Sequence, residues 1–437
     1  MGETTNTKYM SNCKVYIETH GCKLNMADSQ SMSSEFEGRG FTVSDQINSP
    51  DVYILNSCTV TSMADKKARK SLNSAKKRWP NALIVATGCY AERADRELSE
   101  MGSVDLVVRG TNKSEIVSSV VEYIGDYEYL DTQNEGNVIG NLLGRTRASI
   151  KIQEGCDQVC SYCIVPKVRG RERSVPVIKI LESIIRLSNL GVKEVILTGT
   201  QLGSYGFETT DMSLAKLIEA ILKETDIQRL RVSSIQPQEL TGGLLNIWHT
   251  NNRLCKHFHL PLQSGSNKIL KNMRRRYTSD MFLRSVERIR NLISDASITT
   301  DVITGFPGET EEDHNASFSV LERARLADAH VFRYSDRPGT TSFHMQEKVH
   351  GNLINQRAFE LRKITLQNAK RHMSSFIGDS RPVLWEDNHG KSGLTDNYIC
   401  VKIDASYDKT VKSKKNEIEL VKLVKISGKE MIVESVS

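Results

Sequence analysis

The stretch EGCDQVCSYCIVP, residues 154–166, places Cys156, Cys160 and Cys163 within eight residues. It begins at the end of ASIKIQEG (148–155), an apolar stretch that predicts a strand. Thiolates at this C-x3-C-x2-C spacing are typical ligands of iron–sulfur clusters and of zinc. A structural zinc site takes four protein ligands, and no further Cys or His lies close by in the sequence. The spacing favours a 4Fe–4S cluster with one iron open to a substrate, and a structural zinc loop is the alternative.

The composition places limits on the kind of protein that carries this loop. A chain of 437 residues predicts two or three domains, and 38% hydrophobic with 26% charged residues is typical of globular proteins. We find neither an apolar stretch long enough to span a bilayer nor a signal peptide, so we expect a cytoplasmic protein without a membrane anchor. Nine cysteines in such a chain argue against a disulfide framework and favour metal, cluster or catalytic use.

Before the cysteine loop, apolar strands alternate with helices, which predicts a parallel α/β sheet. The predicted strands are KVYIET (14–19), DVYILNSC (51–58), ALIVATGC (82–89) and DLVVRG (105–110). Helices are predicted from Asn25 and over residues 64–79. We therefore predict an N-terminal domain over residues 12–126, followed by a linker over 127–147 that is rich in Asn, Gly and acidic residues.

A second alternating series begins at the cysteine loop. Its predicted strands are ASIKIQEG (148–155), EVILTG (194–199), RLRVSSI (229–235), HFHLPL (257–262), ITTDVITG (298–305) and DAHVFRYS (328–335). Six strand–helix units fit a complete or partial barrel of the (β/α) type over residues 148–373, ending in a long helix at about 351–374. The cysteine loop then lies at the carboxyl end of the first strand, where barrel active sites form. Residues 374–437 predict a small all-β domain.

A second set of cysteines is spread along the first domain. Cys22 in THGCKLN, Cys58 in LNSCTVT and Cys89 in ATGCYAE each follow a predicted parallel strand. Because the carboxyl ends of such strands meet at one crevice, we expect these thiols to form a second site, again one ligand short for a 4Fe–4S cluster. The alternative is that each is a small buried residue. Cys13, Cys255 and Cys400 have no such setting and are interpreted as structural.

With both cysteine sets in place, the chain resembles the radical S-adenosylmethionine (SAM) superfamily and, within it, the methylthiotransferases, which insert sulfur and a methyl group. The resemblance runs from about Lys14 to Val436 and includes LTGTQLGSYG, HLPLQSGSNKILKNMRRRYT, DVITGFPGETEEDH and FRYSDRPGT. The end of the chain resembles a TRAM domain, a small β-barrel that binds RNA. The implied fold is therefore a parallel α/β methylthiotransferase domain, a (β/α)6-type partial TIM barrel and a TRAM barrel.

The resemblance also implies the cofactors and their ligands. Cys156, Cys160 and Cys163 would hold the 4Fe–4S cluster whose open iron binds SAM and cleaves it to a 5'-deoxyadenosyl radical. Cys22, Cys58 and Cys89 would hold an auxiliary 4Fe–4S cluster that carries the sulfur. One SAM would be the methyl donor and another the radical source.

Further residues at the carboxyl ends of the barrel strands are implied as SAM contacts. Tyr162 is the aromatic residue that the superfamily signature places before the last cysteine. The other candidates are Gly199, Thr200 and Gln201 for the methionyl amino group, Ser233 and Ser234 for the ribose or carboxylate, Gln263 and Ser264 at the same mouth, and Gly305 and Pro307 for the adenine. Arg333 is predicted to point into the barrel, with a surface salt bridge as the alternative.

A radical cofactor suits the substrate that the family modifies. The C2–H bond of adenine is not acidic at neutral pH, so acid–base catalysis has little to act on. A carbon-centred radical can start substitution at that carbon while the protein supplies position and excludes water.

Members of the family act on one of three targets. Two are the tRNA adenosine next to the anticodon, when this adenosine carries either a threonylcarbamoyl or an isopentenyl group. The third is an aspartate on a ribosomal protein. Four stretches resemble the threonylcarbamoyladenosine branch: HGCKLN, where other members have Gln-Met after the cysteine, LTGTQLGSYG, LQSGSNKILKNMRRRYT and GLTDNYI. Gln236 in SSIQP departs from it, because that branch often has an acidic residue there. A rival of another class is a non-enzymatic iron–sulfur protein that binds RNA and senses redox state.

Three basic stretches predict an RNA partner, here the anticodon stem-loop of tRNA. They are KKARKSLNSAKKRW (66–79), MRRRY (273–277) and KTVKSKKNEIELVKLVK (409–425). The alternative is that each is an ordinary solvated face. An electron donor and a sulfur source are also required, and the sequence gives neither their identity nor the oligomeric state.

Overall fold

The architecture follows from a computed structural model that describes residues 8–9, 13–44, 48–125, 127–128, 145–386, 391–404 and 415–436. Within these ranges the chain forms a parallel α/β sheet, a six-stranded half-barrel and a closed β-barrel, which confirms the predicted fold class. Most of the predicted linker, 127–147, lies outside the described residues. The predicted domain boundaries stay predictions.

The first domain is built on a five-stranded parallel sheet in the order β3-β2-β4-β5-β6, and a separate short parallel pair joins β1 to β7. Its strands are β1 (Lys8–Tyr9), β2 (Lys14–Thr19), β3 (Thr42–Ser44), β4 (Val52–Ser57), β5 (Leu83–Gly88), β6 (Leu106–Val107) and β7 (Tyr127–Glu128). Every residue of β4 and β5 is buried, because helices cover both faces of the sheet.

Helices pack on both sides of this sheet. They are α1 (Lys23–Gly38), α2 (Ser62–Arg78), α3 (Cys89–Arg93), α4 (Asp95–Ser99) and α5 (Ile116–Ile124), with a 3-10 segment at Gly110–Glu115. Helix α2 begins after Thr61, whose hydroxyl accepts a hydrogen bond from the Ala64 N–H. Its buried residues Ala68, Leu72 and Ala75 recur at helical spacing, so the lysines between them face solvent.

The second domain is a half-barrel of parallel strands. Two three-stranded sheets, β8-β11-β12 and β13-β14-β15, are joined by parallel bridges from Leu230 to Leu254 and from Ser234 to His259. Its six strands are β8 (Arg147–Lys151), β11 (Glu194–Thr198), β12 (Arg229–Val232), β13 (His257–His259), β14 (Ser297–Thr304) and β15 (Asp328–Arg333). A separate antiparallel pair joins β9 (Gln153–Glu154) to β10 (Arg173–Ser174).

An outer layer of helices covers the half-barrel. It consists of α6 (Val165–Arg169), α7 (Val177–Asn189), α8 (Leu214–Glu224), α9 (Gly242–Thr250), α10 (Asn267–Asn272), α11 (Ser279–Leu292), α12 (Glu311–Ala324) and α13 (Gly351–Ser374), with 3-10 segments at Leu202–Ser204, Pro237–Glu239 and Thr341–His344. Helix α1 packs against β8, so the first domain covers that edge of the half-barrel. The carboxyl ends of both parallel sheets therefore lie near each other.

The C-terminal domain is a closed barrel in the strand order β16-β17-β18-β20-β19. Its strands are β16 (Ser380–Trp385), β17 (Ser392–Thr395), β18 (Cys400–Ile403), β19 (Ile418–Ser427) and β20 (Glu430–Ser435). The fully buried Trp385 lies in its core and donates its indole N–H to Glu419 at 2.9 Å. Closure of the barrel removes exposed strand edges, which stabilises so small a β domain.

A buried ion pair holds the C-terminal barrel against the half-barrel. The carboxylate of Glu194 accepts from Arg231 Nε at 2.7 Å and lies 2.8 Å from Arg229 Nη2. The two guanidinium groups also donate to main-chain carbonyls of the C-terminal barrel, Arg229 to Leu394 at 3.1 Å and Arg231 to Thr395 at 3.3 Å. The contact thus depends on arginines that Glu194 keeps neutralised.

We expect Glu194→Ala to lower the free energy of unfolding by about 3–5 kcal/mol, because it leaves two buried guanidinium groups without their carboxylate. Chemical denaturation followed by circular dichroism measures the loss. The matched control is Glu219→Ala on the exposed face of α8, for which we expect a change within about 0.5 kcal/mol. Equal stability of the two variants would contradict this account of the contact.

Candidate active site

A cavity of about 660 Å³ lies inside the half-barrel. All three domains contribute to its wall: Cys22 and Lys23 come from the first domain, Cys156 from the barrel loop and Tyr398 from the C-terminal barrel. A pocket whose wall is shared by three domains can hold a reactive group in position and limit competing reactions around it.

The cysteine loop that opened the sequence analysis forms one end of this cavity. Cys156, Cys160 and Cys163 all line it, between β9 and α6. The chain turns at Gly155, which has a φ of +75°, and a Cβ there would lie 1.9 Å from the carbonyl oxygen of Arg171. Glycine is therefore required where the strand ends and the loop begins.

Hydrogen-bond donors point at the sulfurs of this loop. The Gln158 N–H donates to Cys156 Sγ at 3.4 Å, and Arg275 Nη1 donates to Cys160 Sγ at 3.2 Å. Burial raises the pKa of Cys156 to about 11 and that of Cys163 to about 12, so both are thiols in the metal-free protein. Iron must displace these protons, and N–H···S hydrogen bonds then stabilise the bound thiolates.

The second cysteine set comes together at the carboxyl ends of β2, β4 and β5, as predicted from the topology. Burial, with a further contribution from the nearby Cys89 and Cys22, raises the pKa of Cys58 to about 12. The Val60 N–H donates to Cys58 Sγ at 3.4 Å, and Gly21 packs so closely that a Cβ on it would lie 3.0 Å from the Cys58 Cβ. This set is a second thiol cluster, with Cys22 lining the cavity.

The donor chemistry of both sets fits a 4Fe–4S cluster with three cysteine ligands. Within the described residues no group of three or more His, Cys, Asp or Glu side chains is placed to hold a single metal ion. The geometry of the alternative, a mononuclear zinc site, is therefore not found in that part of the chain.

Arg169 lies between the two cysteine sets and joins their domains. This buried arginine of α6 donates to Asp28 of α1 at 3.1 Å and to Glu154 of β9 at 3.1 Å. Its second terminal nitrogen donates to Asn25 Oδ1 at 3.1 Å. The positive charge of Arg169 also acts against the effect of burial, which raises the pKa of Cys89.

Seven of the predicted SAM contacts line the same cavity as the cysteine loop. They are Tyr162, Gly199, Thr200, Gln201, Ser233, Ser234 and Gln263. Gln153 fixes the turn after β11, because its side-chain oxygen accepts from the N–H groups of Thr200 and Gln201, both at 2.8 Å. The residues that follow β11, β12 and β13 thus share one surface with the cysteine loop, while their contacts with SAM stay predictions.

Ser264, Gly305 and Pro307 lie outside this surface. The Ser264 hydroxyl is buried within hydrogen-bond distance of Ser317 on α12. Gly305, with a φ of +80°, lies against α13, where a Cβ would be 2.4 Å from Ile354 Cγ1, so helix packing explains this glycine. Pro307 follows in the same buried turn. These three positions are not among the residues that line the cavity, and their predicted contacts with SAM stay predictions.

The prediction that Arg333 points into the barrel is wrong. Alternate residues of β15 face opposite sides, and His330 and Phe332 line the cavity. Arg333 therefore faces outward, where its Nη1 donates to Asn355 Oδ1 at 2.7 Å. The predicted alternative, a salt bridge, is not found within the described residues either, since the partner is an amide.

The sequence analysis missed Arg275, Gln158 and Gln236, which line the cavity beside the cysteine loop. Arg275 was counted among three arginines of MRRRY that face RNA, but it turns inward and also donates to Gln236 Oε1 at 3.1 Å. The available signal was Tyr277 two residues later, since a buried Tyr indicates that alternate side chains of this stretch face the core. Arg274 and Arg276 remain exposed.

A further part of the cavity wall, which we call the distal end, was not predicted. Its wall consists of Lys23, His257, His259, Thr299, Asp301, His330, Phe332 and Tyr398. Tyr398 stacks on His257, with ring centroids 3.9 Å apart and an interplanar angle of 2°. The sequence held no local signal for this contact, because it joins residues of two domains.

Charges at the distal end are mostly paired. Asp301 lies 3.3 Å from His259 Nε2 and 3.1 Å from His330 Nδ1. Burial raises the pKa of Asp301, but hydrogen bonds with the two histidines outweigh it and hold that pKa well below its usual range. Burial, followed by the charges of Arg231 and Arg147, lowers the pKa of Lys23 to about 8, so this amine is mostly protonated at neutral pH.

Comparison with known proteins gives the family. Residues 14–109 match the model described as uncharacterized protein family UPF0004, and residues 150–320 match the radical SAM superfamily. The chain is 32% identical to threonylcarbamoyladenosine tRNA methylthiotransferase MtaB of Bacillus subtilis, over 90% of this chain and 91% of the relative. It is 35% identical to the protein of the same name from Aquifex aeolicus, over 89% and 96% of the two chains. The chain belongs to the radical SAM methylthiotransferase family.

Other relatives of this methylthiotransferase carry a different name. The chain is 35% identical to tRNA-2-methylthio-N(6)-dimethylallyladenosine synthase of Methylacidiphilum infernorum, over 83% of each chain. Among solved structures, the radical SAM methyltransferase TsrM of Kitasatospora setae matches with a TM-score of 0.54 and 14% identity, over 75% of this chain and 76% of that one. The likeness to TsrM shows a shared fold.

Membership of the family establishes the cofactors of the methylthiotransferase as SAM and 4Fe–4S clusters. The assignment of each cluster to its three cysteines is a prediction that the geometry of both sets supports. In the part of the chain that the structure describes, no helix combines the length and apolar character needed to cross a bilayer.

Replacing either cysteine set by alanine is expected to remove about half of the iron from the anaerobically reconstituted protein, because each set then holds one of two 4Fe–4S clusters. The two triple variants are Cys22/Cys58/Cys89→Ala and Cys156/Cys160/Cys163→Ala. Iron, sulfide and zinc per chain are measured together. The control Cys400→Ala removes an exposed thiol far from both sets and should keep all the iron. Zinc in place of iron in either variant would contradict the assignment.

Proposed function

We propose that this protein methylthiolates C2 of N6-threonylcarbamoyladenosine next to the anticodon in tRNA, using one SAM as methyl donor and another as radical source. The observation that supports this proposal most strongly is that both cysteine sets lie at one cavity. The enzyme class is a sulfur-transferring tRNA methylthiotransferase. The cytoplasm, where tRNA is available, is the proposed location.

The two sets divide the work in this proposal. When bound, the cofactors supply a carbon-centred radical, a methyl group and sulfur. Cys156, Cys160 and Cys163 hold one cluster beside the residues proposed to bind SAM, and Cys22, Cys58 and Cys89 hold the other on the opposite domain. The target base enters between them, which brings C2 within reach of both. Closure of the cavity by three domains keeps water away from the reacting carbon.

One feature of the cavity favours threonylcarbamoyl over isopentenyl as the group on the base. Its distal end is polar and charged, with Lys23, His259, Asp301 and His330 in its wall. A hydrocarbon tail gains from an apolar pocket, whereas a threonylcarbamoyl group has polar atoms to pair there.

The deciding experiment is mass spectrometry of nucleosides from tRNA incubated anaerobically with the reconstituted protein, SAM, a reductant and sulfide. The expected product is a methylthio adduct on threonylcarbamoyladenosine. Cys160→Ala is expected to abolish SAM cleavage, whereas Cys58→Ala is expected to retain cleavage and lose the adduct. An adduct on isopentenyladenosine alone would contradict the proposed substrate and assign the protein to the isopentenyladenosine branch. SAM cleavage with no adduct on any tRNA would point to a protein substrate.

The basic face of α2 is the proposed contact for tRNA. Lys66, Lys67 and Lys70 are exposed on this helix. The helix begins just after Val60, which lines the cavity, so its lysines lead away from the entrance. Lysines in such a row neutralise phosphates along a backbone. The basic stretch at 409–425 lies mainly outside the described residues.

Changing Lys66, Lys67 and Lys70 together to Gln is expected to weaken tRNA binding and to reduce the slope of log K against log salt by about two to three, since each phosphate contact releases about one counterion. Fluorescence anisotropy over a salt series measures both quantities. The matched control changes Lys179, Lys216 and Lys223, which are exposed on α7 and α8 of the barrel's outer layer, to Gln. If both triple variants lose affinity equally, general charge rather than the α2 face binds the RNA.

A further inference from the structure

Lys23 is a cation in the wall of the cavity that has no carboxylate partner among the described residues. It is half-buried, and its Nζ lies 5.9 Å from the centroid of the Tyr398 ring. Among the described residues no carboxylate oxygen lies within 4.0 Å of this Nζ. An ammonium group held in a protein cavity without an anion loses hydration that nothing replaces. The distal end is therefore electrostatically incomplete until an anionic group enters it.

The other charged groups around Lys23 already have partners. Arg231 pairs with Glu194 at 2.7 Å, and Arg147 pairs with Glu386 at 2.5 Å. Asp301 is held by His259 and His330, as described above. None of these groups is left to neutralise Lys23, so among the described residues the space beside its amine is open to an anionic group of a ligand.

The position of Lys23 indicates which ligand supplies that anion. Lys23 follows Cys22, a proposed ligand of the auxiliary cluster, and lines the cavity together with His257 and Tyr398 of the distal end. In adenine, C2 and C6 flank the same ring nitrogen. A base that presents C2 to the auxiliary site therefore carries its N6 substituent past the residue beside Cys22.

We infer that Lys23 determines substrate specificity by binding the carboxylate of the threonylcarbamoyl group in the distal end of the cavity. This inference rests on the proposed function. The threonylcarbamoyl substituent ends in a carboxylate, and an isopentenyl substituent has no charge. A charge-assisted hydrogen bond from Lys23 thus stabilises the bound threonylcarbamoyl substrate, whereas a bound isopentenyl substrate leaves the Lys23 ammonium desolvated and unpaired.

The test uses two synthetic anticodon stem-loops that differ in one group, the threonylcarbamoyl carboxylic acid or its primary carboxamide. The wild-type reconstituted protein is expected to methylthiolate the acid with a kcat/KM about tenfold to a hundredfold higher than that for the amide. Lys23→Gln is expected to bring this ratio close to one by slowing the acid, and Lys23→Arg to restore most of the preference. Lys223→Gln, on the outer helix α8, is the matched control and should keep the wild-type ratio.

The outcomes separate the inference from the function on which it rests. Equal wild-type rates on acid and amide would overturn the inference and leave the proposed function intact. A Lys23→Gln variant that slows both stem-loops equally, with a raised KM for SAM, would overturn it in favour of the SAM carboxylate as the ligand of Lys23. No product from either stem-loop with the wild-type protein would overturn the proposed function itself. Because the first comparison needs only the wild-type protein, an unstable variant does not prevent the test.

Discussion

The buried ion pair between Asp28 and Arg169 sets the relation between the two cysteine sets. Asp28 belongs to the first helix, which begins beside Cys22, and Arg169 ends the short helix that follows the cysteine loop of the barrel. Lys113 at 2.6 Å and Lys151 at 2.9 Å from the same carboxylate complete the pairing of Asp28. Buried charges are stable only when each has its partners, so the domains cannot shift without exposing unpaired groups. This network of ion pairs between the two domains therefore keeps both cysteine sets at the same cavity.

That constraint explains why the chemistry is arranged across domains rather than within one. Each cysteine set lies at the carboxyl ends of a parallel sheet, where chain topology gathers residues that are far apart in sequence. Facing the two ends toward each other leaves a space with different groups on opposite walls. Gly21 lets the backbone approach Cys58 closely, and Gly155 lets the start of the cysteine loop pass against the main chain of Arg171. The cavity is the space that remains between the facing ends of the two sheets.

Sequence patterns predicted the parts of the structure that depend on local order. The strands of both sheets, the long helix at Gly351–Ser374 and the gathering of Cys22, Cys58 and Cys89 all follow from apolar periodicity and strand ends. Contacts between domains could not be predicted in this way, because nothing near Lys23 in the sequence indicates Tyr398. The packing of Gly305 against Ile354 could not be predicted either, because a glycine at a strand end can serve a ligand or a neighbouring helix.

Because Tyr398 belongs to the C-terminal barrel, the cavity wall can be completed only after the end of the chain has been translated. Its backbone adopts a φ of +71°, a conformation that a non-glycine residue keeps only when its surroundings hold it there. Those surroundings are His257 and Arg231 of the half-barrel, whereas the tyrosine itself belongs to the C-terminal barrel. A ribosome makes this residue after every cysteine of both sets. The wall of the cavity is thus finished last, and a growing chain holds its thiols in a half-barrel still open at the distal end until the final domain docks.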